Sequence, residues 1–208
     1  WVDFLVRWAH VIAGIAWIGS SFYFVHLDSS IKKREGLPPD QIICTGSPMR
    51  EVLEHYRSGI EASDVAARLG LTAGKYFVVS THREENVDAP ERLAKVFAVL
   101  NRVAEKFGEP VIVSTHPRTR KRADVAQLTP HPLVQFHKPF GFLDYIRLQS
   151  DARAVISDSG TITEESSILN VPALNLREAH ERPEGMEEAA VMMVGLEVDR
   201  VRQGLAIL

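Results

Sequence analysis

From Pro39 onward the sequence predicts an α/β domain, a parallel sheet covered by helices on both faces in a three-layer, Rossmann-like arrangement. Three observations predict it. Short apolar runs alternate with amphipathic segments, polar and ionisable loops follow four successive runs, and one run passes through a Ser-Gly turn straight into a helix. Strands that alternate with helices of this length make right-handed crossovers, and hence a parallel sheet buried on both sides. The ligand of such a sheet is expected outside the carboxyl ends of its strands.

The chain opens in another pattern. Residues 8–25 include no Asp, Glu, Lys or Arg, and as a helix they would extend about 27 Å, close to the hydrocarbon thickness of a bilayer. Residues 4–27 are therefore a candidate transmembrane helix. Trp1, Trp8, Trp17, Phe22, Tyr23 and Phe24 supply interfacial aromatics, Gly14, Gly19, Ser20 and Ser21 suit close helix packing, and Lys32-Lys33-Arg34 would hold that end on the cytoplasmic side. A cleaved signal peptide fits less well, because no small-residue cleavage site follows and the charges stand on the wrong side. A buried helix of a soluble protein is the plainer alternative. Residues 1–38 thus read as a hydrophobic helix with a basic linker, and 39–208 as the α/β domain. Membrane contact is expected only through residues 4–27, with residues 39–208 in the cytoplasm.

Bulk properties narrow the classes. A formal net charge of −3 over 208 residues gives no general attraction to nucleic acid. The single cysteine, Cys44, allows no internal disulfide, fits a reducing compartment, and reads as a buried strand residue within Ile42-Ile43-Cys44. Eight scattered histidines lack the close spacing of a zinc site, so no metal is assigned.

Within the α/β part, strands are expected at 41–45, 76–80, 111–114, 133–136, 154–157 and 173–176. Helices are expected at 48–56, 62–69, 90–107, 118–127, 142–149 and 161–169, with Pro90 suited to a first helical turn. The 48–71 region reads as linker or interdomain helices, and the last residues, 206–208, as lying inside a helix.

The strand ends carry the chemistry. After 154–157, the turn Ser159-Gly160-Thr161 offers backbone N–H groups, two hydroxyls and a positive helix end, which together can bind a phosphate. Glu165, one turn further in, is placed to hold ribose hydroxyls. After 76–80, Thr81-His82-Arg83-Glu84-Glu85-Asn86 brings His82, a hydrogen-bond donor to phosphate, and Arg83, which either joins it or pairs with a carboxylate. The next end, Ser114 to Arg120, supplies a second histidine and two arginines. Phe142 and Tyr145 lie three apart in an aromatic-rich segment and can stack on a base, although core packing is the commoner use of such a pair. Arg182, beyond the strand at 173–176, is a counter-charge for a diphosphate or a glutamate. For each loop alone, a solvated loop that caps the next helix is the simpler reading.

Five segments, STHREEN, STHPRTR, KPFGFLDY, SDSGTITEESSILNVPAL and REAHERPEGMEEA, resemble in content and order the non-hydrolysing UDP-N-acetylglucosamine 2-epimerase family. The likeness runs from about Pro39 to Leu208, and the SDSGTITEESSILN block and the chain ending look closest to the branch acting on a UDP-linked 2-acetamido-2,6-dideoxy-L-talose. The resemblance implies one half of a GT-B-type two-domain fold, a UDP-sugar partner, a homodimer, and no cofactor. Matched by position, it implies that Ser159, Gly160 and Thr161 hold the diphosphate, Glu165 the ribose, His82 and Arg182 the UDP-sugar, with Tyr145 beside the uracil and His82 as the catalytic residue expected in this half. The family commonly has Gly at the position of Thr161, and Tyr and Phe at those of Phe142 and Tyr145.

The activity so implied is epimerisation at C2 of a UDP-2-acetamido sugar, by elimination of UDP to a glycal and re-addition, in bacterial surface polysaccharide synthesis. The carboxylates proposed as acid and base belong to an N-terminal half that is expected to be missing from this chain. Residues 1–38 instead resemble the opening membrane segment of PuuD-like urate hydroxylases, and the change near 38–40 reads as a junction of two unrelated pieces. Two further readings stay open: the nucleotide half of a GT-B glycosyltransferase, and a membrane-tethered nucleotide-binding module without catalysis.

Overall fold

Six parallel strands form the sheet: β1 (Phe77–Ser80), β2 (Val111–Ser114), β3 (Val134–His137), β4 (Ala154–Ser157), β5 (Ala173–Asn175) and β6 (Val191–Met193). Their spatial order is β3-β2-β1-β4-β5-β6. Among the described residues, the helices include α1 (Met49–His55), α2 (Arg57–Glu61), α3 (Val65–Arg68), α4 (Glu84–Val87), α5 (Pro90–Phe107), α6 (Phe142–Ser150), α7 (Ile162–Leu169) and α8 (Val198–Ile207). This computed structural model describes residues 47–115, 119, 122, 126, 128–178 and 191–207. The helix expected over residues 4–27 with its membrane contact, the strand expected over 41–45 with Cys44, and most of the helix expected over 118–127 lie outside the described residues. Among the described residues, no helix is long and apolar enough to cross a membrane.

Strand alternation makes the three layers. Successive side chains of a strand point to opposite faces. Phe77 and Val79, Val111 and Val113, and Ala154 and Ile156 thus meet Val96, Val99, Leu100, Val103 and Ala104 of α5 and Val201 of α8 on one face. Val78, Ile112, Val155 and Ala173 meet Val65 of α3, Leu148 of α6 and Ile162 of α7 on the other. This is the α/β Rossmann-like parallel sheet that the sequence predicts.

Element bounds follow local chemistry. Helix α5 starts on Pro90, whose missing N–H costs nothing in a first turn, and stops at Gly108, which takes the left-handed conformation at φ 62° and donates its N–H to Ala104 O. The expected helix 62–69 shrinks to α3, because Ser63 turns the chain there and its Oγ accepts the Val65 N–H at 3.3 Å. The 48–71 region packs back onto the domain: Leu53 and Ile60 bury against Ile146 of α6, with Met49, Phe142, Ile168 and Leu169 around them. Ser63 Oγ and Arg68 Nη2 bond the two oxygens of Asp144 on α6, each at 2.6 Å. Strand β6 and helix α4 were not expected, while α2 falls within the 48–71 region read as linker or interdomain helices.

Candidate functional site

The order of the strands places the site. β1 connects through α5 to β2 on one side, whereas the chain returns through α6 to β4 on the other side of β1, so the direction of winding reverses between β1 and β4. A crevice opens at the carboxyl ends of two such strands. There the rim is polar and in register, with His137, Ser114, Ser80, Ser157 and Asn175 standing side by side across five strands.

Asp158 is the hub of this crevice. It directly follows β4, is fully buried at 0 % exposure, and takes the His82 N–H on Oδ1 at 3.1 Å and the Arg83 N–H on Oδ2 at 3.2 Å. Asn86 Nδ2 donates to Oδ2 at 3.0 Å, Arg83 Nε donates to the Asp158 carbonyl at 3.0 Å, and His82 Nδ1 lies 3.4 Å from Oδ1. A buried carboxylate is tolerated only when donors surround it. The loop after β1 supplies them, and its shape is thereby tied to the loop after β4. The His82 side chain, 54 % exposed, sits on the solvent side of the hub.

The Ser-Gly turn lies next along the chain. Ser157 Oγ accepts the Ser159 N–H at 3.0 Å, and the Ser159 and Thr161 hydroxyls lie 3.0 Å apart. Thr161 is the N-cap residue of α7, yet no side chain caps that helix. Its first N–H groups and two neighbouring hydroxyls form a donor-rich corner of the kind that binds an anion. Glu165, in the first turn of α7, accepts a hydrogen bond on Oε2 from Gln149 Nε2 at 2.9 Å.

Tyr145 reaches the same crevice from α6. Burial raises its phenol above the usual range, the nearby Glu165 and Asp158 carboxylates push in the same direction, and a hydrogen bond with Ser80 opposes them. At the far end of the rim, burial lowers the imidazole of His137, whose ring lies 5.4 Å from that of Phe140.

The structure therefore gathers His82, Ser159, Gly160, Thr161, Glu165 and Tyr145 along the β1/β4 crevice. It does not bring Phe142 there: that ring packs edge-on to Tyr56 at 5.6 Å, within the cluster of Leu53, Ile60 and Ile146. Arg182 lies outside the described residues. The Arg83 guanidinium takes neither expected contact in this bond: its Nε donates to the backbone carbonyl of Asp158, not to the carboxylate. Sequence reasoning missed Asp158 as a hub, and missed Asn86 and Gln149 altogether. The available signal was the type and place of Asp158, a carboxylate directly after a fully buried strand, where it has no water to face.

Comparison with known proteins gives a consistent result. The sequence model of the UDP-N-acetylglucosamine 2-epimerase family matches residues 20–208, starting ahead of Pro39. A UDP-N-acetylglucosamine 2-epimerase of Methanocaldococcus jannaschii is 30% identical over 182 residues, which cover 84% of this chain and 50% of that protein. The crystal structure of that organism's enzyme in complex with UDP-GlcNAc and UDP matches with a TM-score of 0.76 at 30% identity, covering 84% of this chain and 49% of that one. A structure of the enzyme from Rickettsia bellii matches with a TM-score of 0.70 at 38% identity, covering 83% and 46%. This chain spans half or less of the length of these relatives. The family match, together with this parallel sheet and its relatives, shows that the chain belongs to the UDP-N-acetylglucosamine 2-epimerase family.

Proposed function

We propose that this domain grips the UDP part of a UDP-2-acetamido sugar and holds it while the sugar is epimerised at C2. The observation that supports this reading best is the tie through Asp158. One buried carboxylate sets His82 beside the Ser159-Thr161 corner and the uncapped end of α7, the arrangement a diphosphate needs. In this reading the N–H groups and hydroxyls of Ser159, Gly160 and Thr161 hold the diphosphate, and His82 stands at the phosphate beside the sugar. Glu165 accepts the ribose hydroxyls, and Arg182 adds a positive charge.

The chemistry makes such a grip necessary. No carbonyl acidifies the C2 proton of the sugar, so the C1–O bond to UDP breaks as C2 loses its proton, leaving a glycal. UDP then adds back at C1 while a proton returns to the opposite face of C2. A donor-rich site lowers the barrier by stabilising the charge on the departing diphosphate, and by retaining that group it keeps the reaction reversible in place. The acid and base are assigned to the part of the relatives' length that this chain does not span. The chain alone is accordingly expected to bind UDP weakly without turning over a UDP-sugar.

The branch acting on UDP-2-acetamido-2,6-dideoxy-L-talose, in surface polysaccharide synthesis in the cytoplasm, is the finer form of this proposal, resting on the SDSGTITEESSILN block. Titration calorimetry of the 208-residue chain tests the grip. UDP should release heat, and Ser159→Ala and Glu165→Gln should each weaken it; absence of any UDP binding refutes the reading. Deuterium appearing at C2 of a UDP-N-acetylhexosamine with the purified chain in D2O would refute the assignment of acid and base elsewhere.

A further inference from the structure

We infer that Gln149 is a positioning residue: by holding Glu165 it makes the site select ribonucleotides over 2′-deoxyribonucleotides. The inference rests on the proposed UDP grip and names the residue behind one part of it. Gln149 lies near the end of α6 at 1 % exposure, beside the buried Leu148. A buried amide is costly unless bonded, and an apolar side chain of similar length would fill this place without that cost. Its Nε2 donates to Glu165 Oε2 at 2.9 Å, across from α6 to α7.

That bond limits what Glu165 can do. An ionised glutamate only accepts hydrogen bonds, through about four lone-pair positions on two oxygens. With Gln149 on Oε2, the side chain is held in one rotamer, and Oε1 and the remaining positions stay available to hydroxyl donors. Vicinal ribose hydroxyls are such donors. The Tyr145 phenol, hydrogen-bonded to Ser80, lies near enough to feel the Glu165 charge, which raises it further. The neighbouring Glu164 is engaged differently, accepting from Ser47 Oγ at 2.7 Å. Consecutive glutamates on one helix thus have separate tasks, and the one oriented by a buried amide is the one facing the crevice.

The test is calorimetric titration of the whole chain with UDP and with 2′-deoxy-UDP. The parent should prefer UDP by about tenfold, the usual scale for a lost hydrogen bond to a charged acceptor. Gln149→Met keeps length and volume but removes the donor. It should weaken UDP by about fivefold to tenfold and 2′-deoxy-UDP by less than about twofold, so that the preference nearly disappears. Gln149→Asn, one methylene too short to reach Oε2, should behave likewise and replaces the methionine variant if that one misfolds. Equal weakening of both nucleotides would make Gln149 a structural residue only and overturn the inference. UDP binding without ribose preference in the parent would also overturn it while leaving the nucleotide grip standing, whereas no UDP binding at all removes both.

Discussion

Removing the carboxylate of Asp158 should both destabilise the domain and release the loop after β1. In Asp158→Ala three donors lose their acceptor at once: the N–H groups of His82 and Arg83, and Asn86 Nδ2. A buried donor left without a partner costs about 1–3 kcal/mol. Asn86 is fully buried and cannot recover the loss, while His82, at 54 % side-chain exposure, lies where water can reach its loop. Burying the carboxylate in the first place opposes part of the gain. The net loss should therefore be about 3 kcal/mol, a large share of the 5–15 kcal/mol typical of a domain. With a urea dependence of about 2 kcal/mol per molar, the unfolding midpoint should fall by about 1.5 M. Asp158→Asn keeps the Oδ1 acceptor but sets an amide against two donors, and should fall between parent and alanine variant. Native-state hydrogen exchange reads the local part: the His82 and Arg83 amides should lose protection in the alanine variant while the β2 amides keep theirs relative to global unfolding. A midpoint unchanged within error, together with unchanged exchange at those two amides, would show that Asp158 does not tie the loops together.

Two further changes probe how the layers are held. The Ser63 hydroxyl, and after it the Arg68 guanidinium, hold the Asp144 carboxyl below its usual range. The unfolded chain therefore binds this proton more readily, and the stabilisation is complete above about pH 4 and lost as pH falls through the lowered folded value. The Tm gap between the parent and Asp144→Asn should accordingly narrow below about pH 4, and a constant gap from pH 3 to 7 would contradict the assignment. In α8, a Cβ at Gly204 would lie 2.9 Å from Leu174 Cδ2 and 3.1 Å from Val194 Cγ1. Gly204→Ala should lower stability by about 1 kcal/mol, the overpacking exceeding the gain in helix propensity; a higher urea midpoint would show that Leu174 yields without cost.

The fold was legible where local and long-range demands agree. The bounds expected from sequence for 111–114, 154–157 and 90–107 coincide with β2, β4 and α5. Those strands are buried on both faces, so every residue in them is apolar until the polar rim, and α5 carries a proline at its start and a glycine at its stop. Strand β6 left no such mark. It is three residues at the sheet's edge, with Met192 and Met193 only half-buried, and pairing with β5 rather than its own composition makes it a strand. Helix α3 came out shorter than its apolar spacing suggests because Ser63 bonds the backbone locally and competes with the helix, the usual effect of a serine near a helix start.

The site divides in the same way. Its rim is readable, since three apolar strands that each end in serine announce a polar edge, and register lines up Ser80, Ser114 and Ser157. The tasks within it are not readable, because they depend on partners far apart in the chain: Asp158 serves residues more than seventy positions earlier. Phe142 and Tyr145 make the limit concrete. Three residues along a helix turn the side chain by about 60° from its starting direction, which puts both rings on one side in a sequence reading. In the fold, the boundary between two neighbours of α6 runs through that angle, so Phe142 meets the α1–α2 segment and Tyr145 meets the sheet. Spacing can place two residues on one side of a helix, but what they touch is decided by where the neighbouring elements divide that side, and here the β1/β4 reversal gives the crevice to Tyr145.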